Sequence, residues 1–550
     1  MPRRTDTNLK VAGNLIDIIT KESYPAVLGI RSGKIISVQR DEKLRCEHYL
    51  IPGFVDSHVH VESSMLCPYE FSKMAVSHGT LGALCDPHEI ANVLGKKGID
   101  YMIENGRDAP CRLYFGAHSC VPATPFESSG ASLKGEDISL LFDTHKLYHL
   151  AEVMNVPGVL DGDLQLLQKI GEAKKRAKKI DGHAPGLSGD ELARYVAAGI
   201  DSDHECTSYG EGLEKLKHGM KVSIREGSAA KNFDALIDLI EVFPNSVMFC
   251  SDDIHPDDLA RGHINSLVKR ALDRKFCLYD VLRAASLNPT RHYGLDLGLL
   301  QCGDRADFLV VRDLDSLELV RAYLGGEVVY ESGRVSSETR KHEVLNNFSR
   351  SPIEADSLRI EVPKAKELRV IAIEDGQLYT RKEKHKPLLR DGIVEADLDR
   401  DLLLLAVLSR YSDAPASLAL AKNMGLQRGT IASSIAHDSH NIIAIGTSRK
   451  DIARAINLIV ESRGGISAVE GEEEMLLALP IAGLMSDGDG VSVAREYEAI
   501  DAFAKKLGAK PKSPFMTLSF LALPVIPELK LSDRGLFDAE KRDFVPLVAS

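Results

Sequence analysis

Residues 54–65 read FVDSHVHVESSM, and four of them share one parity: Asp56, His58, His60 and Glu62. Alternate side chains of a strand point to the same face, so a strand here turns two imidazoles and two carboxylates one way. Imidazole nitrogen and carboxylate oxygen are common donors to borderline divalent metals. The same residue types recur downstream, each closing an apolar run: Glu152 in LAEVMN, His183 in IDGHAPG, His204 in DSDHE and Asp252 in FCSDDIHP. Four imidazoles (His58, His60, His183, His204) with Glu152 and Asp252 form a ligand set suited to two metal ions. Two ions so close repel each other, and a bridging carboxylate offsets that; Glu152 is placed to serve. The rival bridge, a carboxylated lysine, would fall on Lys146, further back in the segment. Water shared by two such ions ionises near neutral pH. Asp252 is then the group to take its proton and deliver it to a leaving group.

A lone histidine at a strand end is more often an ordinary hydrogen-bonded loop residue. Agreement across several strand ends is what carries the metal reading. Around it lie further polar groups: His88 and Glu89 in DPHEIANV, His118 in GAHSCVPATPF, Arg225 and Glu226 in SIREGSAAKN, and Asp253 and His255 in DDIHPDD. His88, His118, Arg225, Asp253 and His255 are candidates to orient a substrate or to support the ligands, with loop capping the competing role. Glu62 has the stronger claim, since parity sets it beside His58 and His60, and Asp56 is expected to support the ligands. His437 and His440, spaced HxxH near the C-terminus, lack a companion carboxylate or cysteine set and are expected to order a loop. The DGDG at 487–490 lacks the full calcium-loop pattern and reads as a turn, and SRGGISAVEG is too sparse for a phosphate loop.

The elements that would position these residues are eight strand candidates between residues 51 and 302. They are GFVDSHVHV, TLGALCDP, RLYFGAHS, LYHLAEVM, AKKIDGH, GIDSDHE, MKVSIREG and SVMFCSDD, mostly followed by helical stretches. That alternation predicts an α/β fold, a (β/α)8 TIM barrel, whose active site lies at the C-terminal strand ends. LYDVLRAASLNPTRHYGL is expected to close it as a helix ending before Pro289. Residues 1–50 and 303–335 share short strands and turns and read as one small composite β-sandwich domain split by the barrel. Residues 336–352 suit a linker, and 353–550 an additional α+β domain.

At 550 residues the chain is long enough for two or three domains. A net charge of −12 argues against nucleic acid or an anionic membrane as the main partner. The nine cysteines are odd in number, never spaced CxxC, and all precede residue 303. Free thiols in a reducing compartment are therefore expected. MPRRTDTNLK has no apolar stretch behind it, and the runs LLLLAVL and FLALPVI are too short to span a bilayer. A cytoplasmic protein is the expectation.

The ordered series PGFVDSHVHVESSM, CDPHEIANVLG, SCVPATPFESSG, LAEVMNVPGV, DGHAPGLSG, SDHE, IREGSAAKN, SDDIHPDDL and LNPTRHYGL resembles the amidohydrolase superfamily. With RGTIASSIAHDSHNIIAIG, LPIAGLMSD and SPFMTLSFLALPVIPELKLSDRGL it resembles, over almost the whole chain, the bacterial and archaeal adenine deaminase family. TLGALCD departs from that family's Thr-rich form, a difference that touches barrel packing more than ligation. The resemblance implies a dinuclear manganese or iron site on His58, His60, Glu152, His183, His204 and Asp252, and a homo-oligomer. It implies hydrolysis of adenine to hypoxanthine and ammonia, as in purine salvage, with a metal-bridging hydroxide attacking C6 and Asp252 shuttling its proton. Glu62, with Glu89 in reserve, is the expected acid for N1. The cytidine-deaminase signature, HxE followed by PCxxC, is absent. The alternative is another amidohydrolase acting on a different aminopurine or a cyclic amide; a retired, non-catalytic homologue would have no reason to keep six ligands.

Overall fold

Eight parallel strands close into a barrel in the computed structural model, which describes residues 9–337, 340–362 and 366–549. The opening residues, on which the reading of a missing leader rests, lie outside the described residues. The barrel strands are, in order, Phe54–Val59, Thr80–Cys85, Arg112–Phe115 resumed at Ala117–His118, His149–Val153, Lys179–Gly182, Ser202–Asp203, Lys221–Arg225 and Val247–Cys250. Neighbouring strands pair in parallel register around the sheet. The ring closes where the Asp252 amide donates to the His58 carbonyl at 3.0 Å and the His60 amide to the Asp252 carbonyl at 3.3 Å. The first two strands are buried at every residue. A parallel sheet covered on both faces buries its strands whole, here including the polar Asp56, Ser57 and His58 of the first.

The third strand is interrupted at Gly116, and packing explains the glycine. A Cβ there would lie 2.6 Å from Nε2 of His149 on the next strand.

The closing helix departs from expectation. It does not stop before Pro289 but runs from Leu278–Leu282 through a wide π turn, Arg283–Leu287, into Asn288–Tyr293. Proline lacks an amide donor and its ring crowds the carbonyl four residues back; a π turn just ahead of it loosens that turn and lets the helix continue. Asn288 pins the join, its side-chain amide donating to the Val247 carbonyl at 2.7 Å and the Pro244 carbonyl at 2.8 Å.

The N-terminal strands Leu9–Asp17, Glu22–Arg31, Lys34–Arg40 and Tyr49–Pro52 share one eight-stranded sheet with four strands from Phe308–Val311 to Arg334–Val335. The two halves join where Phe308–Val311 pairs antiparallel with Tyr49–Pro52. The sheet rolls until the Ile35 amide reaches the Asp304 carbonyl and the Ala306 amide the Gly33 carbonyl, both at 2.9 Å. Its interior holds Leu15, Leu28, Leu50, Phe308 and Tyr323.

The C-terminal unit is built on a second eight-stranded sheet, with Leu402–Leu408, Ile442–Gly446 and Thr430–Ser433 at its centre. Helix Arg449–Ser462 covers one face. Ser448 caps its start by accepting from the Asp451 amide at 3.1 Å, and Ile452, Ile456 and Ile459 point inward at helical spacing. The opposite face, with Leu403, Leu405, Ile431 and Ile443, belongs to the same continuous core as Met65, Leu66, Ile90 and Val93 at the mouth of the barrel. Among the described residues no helix is long and apolar enough to cross a membrane, and all nine cysteines are free.

Candidate active site

The strand ends bring six of the expected residues into one buried cluster. Nε2 of His58 lies 3.1 Å from Nε2 of His60, and both face Oδ1 of Asp252, at 3.4 and 3.1 Å. On the opposite side His183 Nδ1 and His204 Nε2 approach Oε2 of Glu152, at 2.8 and 3.4 Å. Glu152 spans the two groups, since its other oxygen lies 3.4 Å from His60 Nε2. His204 Nε2 is buried with no hydrogen-bond partner. Burial pushes the Glu152 carboxyl up, but the imidazoles of His183, His204 and His60 outweigh it and hold it well below the usual range. Asp252 behaves likewise: burial opposes its ionisation, while Arg225 and then His58 and His60 keep it charged. Converging imidazole nitrogens around two ionised, desolvated carboxylates are a donor set for cations, and these residues could hold metal.

Asp252 owes its aim to its backbone. It sits just past the eighth strand at φ 55°, a left-handed conformation that aspartate tolerates better than most residues. Arg225, the last residue of the seventh strand, donates to its Oδ2 at 2.7 Å and forks onto Glu205. Arg225 lines the cavity but is committed to those two carboxylates. Asp56 supports the same corner from below: it accepts from the amides of His58 and Ser251, at 3.2 and 3.1 Å, and lies 2.8 Å from His263.

The loops bearing His183 and His204 are held by Lys215, on helix Tyr209–Lys217. Its fully buried ammonium donates to the Ala184 carbonyl at 2.6 Å, to Asp203 at 2.8 Å and to Glu211 at 2.9 Å. Lys215→Met would leave the Asp203 carboxylate buried without its cation. The expected cost is about 3–5 kcal/mol, read as a fall in the urea midpoint; a midpoint unchanged from the parent chain would refute it.

Glu62 is placed differently from its expected position. The first strand ends at Val59, and Glu62 lies in a one-turn 3-10 helix, Val61–Ser64. It accepts from the Ile90 amide at 3.1 Å, behind the cavity wall. Burial, then the charge of Glu89, raises its pKa to about 8. Glu89 also stays behind the wall, with Ser63 Oγ at 2.7 Å. Asp253 does line the cavity, and the same Ser63 Oγ lies 2.6 Å from it.

His88 lines the cavity, 3.8 Å from Glu152 and 3.4 Å from Asp86. His118 stacks on it at 4.5 Å and contacts Asp86 at 2.9 Å, one layer further back. Burial raises the Asp86 carboxyl, but His118 and His88 prevail and hold it well below the usual range. His255 sits apart against Tyr497, at 4.7 Å, its pKa lowered to about 4 by burial. Glu226 turns outward to Lys231 and Arg270. Lys146 is ruled out as a bridge: it lines a separate cavity of about 1280 Å³ between the N-terminal strand ends and the rolled sheet, away from the cluster.

Sequence reading missed four participants, Asp86, Glu205, Asp438 and Phe520, and gave a fifth, His437, only a loop-ordering role. Asp86 and Glu205 had a signal, each next to or near a histidine already singled out. His437 and Asp438 line the cavity from the C-terminal unit, and Asp438 Oδ1 faces His88 Nε2 at 3.8 Å. The expectation of a purely loop-ordering HxxH is corrected for His437; His440 is buried behind it, 4.0 Å from Glu89.

A closed eight-stranded barrel with histidines and carboxylates at its C-terminal rim defines a metallohydrolase of the amidohydrolase class. Residues 49–329 match the profile described as the amidohydrolase family, and 377–543 that described as the adenine deaminase C-terminal domain. The chain belongs to the adenine deaminase family of the amidohydrolases. It is 50% identical to an adenine deaminase of Salinibacter ruber, covering 98% of both chains. It is 47% identical to that of Methanosarcina barkeri and 41% to that of Borreliella burgdorferi, each over 98% of this chain and 99% of the relative.

Proposed function

We propose that this chain hydrolyses adenine to hypoxanthine and ammonia. The observation that carries the reading is the six-residue donor cluster at the barrel mouth, in a chain that aligns end to end with adenine deaminases. His58, His60 and Asp252 would hold one cation and His183 and His204 the other, with Glu152 between them. The mixed nitrogen and oxygen donors suit manganese or iron. When bound, such a pair supplies an acidified water and a Lewis acid beside C6.

The chain's own groups handle the protons. Asp252, fixed by Arg225, accepts a proton from the attacking water and carries it to the departing amine. Adenine N1 must also be protonated, because the exocyclic amine leaves poorly from an aromatic carbon. Ser63 offers a route. Its hydroxyl has one hydrogen to give, yet it makes short contacts to both Glu89 and Asp253. Burial, above all, raises the Glu89 carboxyl, and we assign to it the proton that Ser63 relays. The path Glu89–Ser63–Asp253 then ends at the cavity, which moves the assignment of the acid from Glu62 to Glu89. The nine free thiols suit a reducing cytoplasm.

The test is to load metal-free protein with manganese or iron and offer adenine, adenosine and cytosine. Hypoxanthine and ammonia from adenine alone are expected; metal uptake without adenine turnover would overturn the reading.

A further inference from the structure

The cavity is narrow, about 30 Å³, so a ring enters only as its two unlike walls part. The barrel side is almost wholly ionisable, with His60, Glu152, His183 and Asp252 exposed to it and Met154 as its apolar residue. The apolar side comes from the C-terminal unit: Leu378, Phe520, Leu523, Val525 and Ile526. A purine is a flat ring with apolar faces, and such rings bind by covering those faces with apolar and aromatic groups. The barrel can act on C6 but offers little for the ring to rest against.

The aromatic part of the second wall is preorganised. The rings of His437 and Phe520 stack with centroids 4.5 Å apart and planes 11° from parallel. Behind the wall lies Lys530, on the short strand Leu529–Ser532 and wholly buried. Its ammonium donates to the carbonyl of Leu378 at 2.7 Å and to that of Phe520 at 3.0 Å. Both acceptors belong to wall residues, and they come from segments far apart in the chain. An ammonium is expensive to bury against carbonyls alone, and burial accordingly lowers the Lys530 pKa to about 7. Charged or neutral, the amine has hydrogens enough for both carbonyls, so it joins the two segments at a fixed spacing.

We propose that the C-terminal unit supplies the purine-ring subsite, with stacked His437 and Phe520 as its aromatic wall, and that Lys530 is the positioning residue that holds the wall in place. The proposal rests on the adenine reading above. It gives the C-terminal unit a direct part in choosing the substrate: the barrel sets the reaction and the added unit sets the base.

The test uses the metal-loaded full chain and three proteins: the parent, Phe520→Leu and Lys530→Met. Because the wall contacts the ring before and during reaction, its loss removes uniform binding, which raises KM and leaves kcat nearly unchanged. Phe520→Leu is expected to raise KM for adenine about tenfold. Lys530→Met is expected to raise it several-fold, with kcat and metal content close to the parent. KM values within twofold of the parent in both variants, or a fall in kcat at constant KM, would overturn the proposal. Lys530→Gln, which keeps a donor, is expected to recover part of the parent KM; should Lys530→Met not fold, Phe520→Leu alone decides under the same criteria. Hypoxanthine binding by equilibrium dialysis separates the two failures. A parent chain that neither binds hypoxanthine nor turns over adenine defeats the functional reading; one that does both, with indifferent variants, defeats only the wall.

Discussion

Asp252→Asn is expected to slow adenine turnover by about a hundred- to ten-thousand-fold, the usual weight of a positioned proton carrier, while the chain stays folded. The substitution is nearly isosteric, and asparagine is at ease at the positive φ of this position. The backbone bonds that close the barrel between Asp252, His58 and His60 involve main-chain atoms only and survive the change. The amide oxygen can still accept from Arg225, so the Arg225–Glu205 fork keeps its place. The amide is a weaker donor to a cation, so metal must be kept saturating, and it cannot accept and return a proton. The effect should therefore fall on kcat, with KM for adenine changed little. Steady-state kinetics at saturating metal decide it: a rate within tenfold of the parent would show that the proton travels by another group.

Glu152→Gln should act on the metal centre itself. Glu152 faces His60 with one oxygen and His183 and His204 with the other, and it is the carboxylate placed to lie between two cations. Its replacement removes the negative charge that offsets their repulsion and leaves a weaker donor. Metal content is expected to fall below two ions per chain. Turnover should fall by several kcal/mol of transition-state stabilisation, on the order of a thousandfold. Metal analysis alongside the rate keeps the cause visible; two tightly held ions with a near-parent rate would remove Glu152 from the bridge.

The barrel was legible because eight short strand-like segments alternated with helical stretches, and all eight are barrel strands, although several, such as KIDG and FVDSHV, carry polar residues that the site requires. Parity was a sound guide from Asp56 to His60 and failed at Glu62, where the chain had already turned into the 3-10 helix. A period of two says nothing about where a strand stops. Pro289 misled for a related reason: the rule that breaks helices at proline assumes an ordinary α turn ahead of it, and Arg283–Leu287 is wider. His437, Asp438 and Phe520 were out of reach for a different cause. They enter the cavity only because the sheet behind them packs against the barrel mouth, a long-range contact that no local spacing encodes. Asp253 and Glu89 were seen separately, whereas Ser63, which joins them, carries no signal until both carboxylates surround it.

The shared interior of barrel mouth and C-terminal sheet also bears on when the protein can begin to work. Translation delivers the residues from His58 to Asp252 first, so the six donor side chains of the cluster exist early. Phe520, Leu523 and the strand carrying Lys530 follow more than 260 residues after Asp252. Until the strands from Leu402 to Gly446 follow, the apolar surface around Met65, Ile90 and Val93 has no partner sheet to bury it. A nascent chain therefore passes through a stage in which its six donor side chains are made but the chamber is not enclosed, exposes a sticky mouth, and depends on segments made much later to cover it.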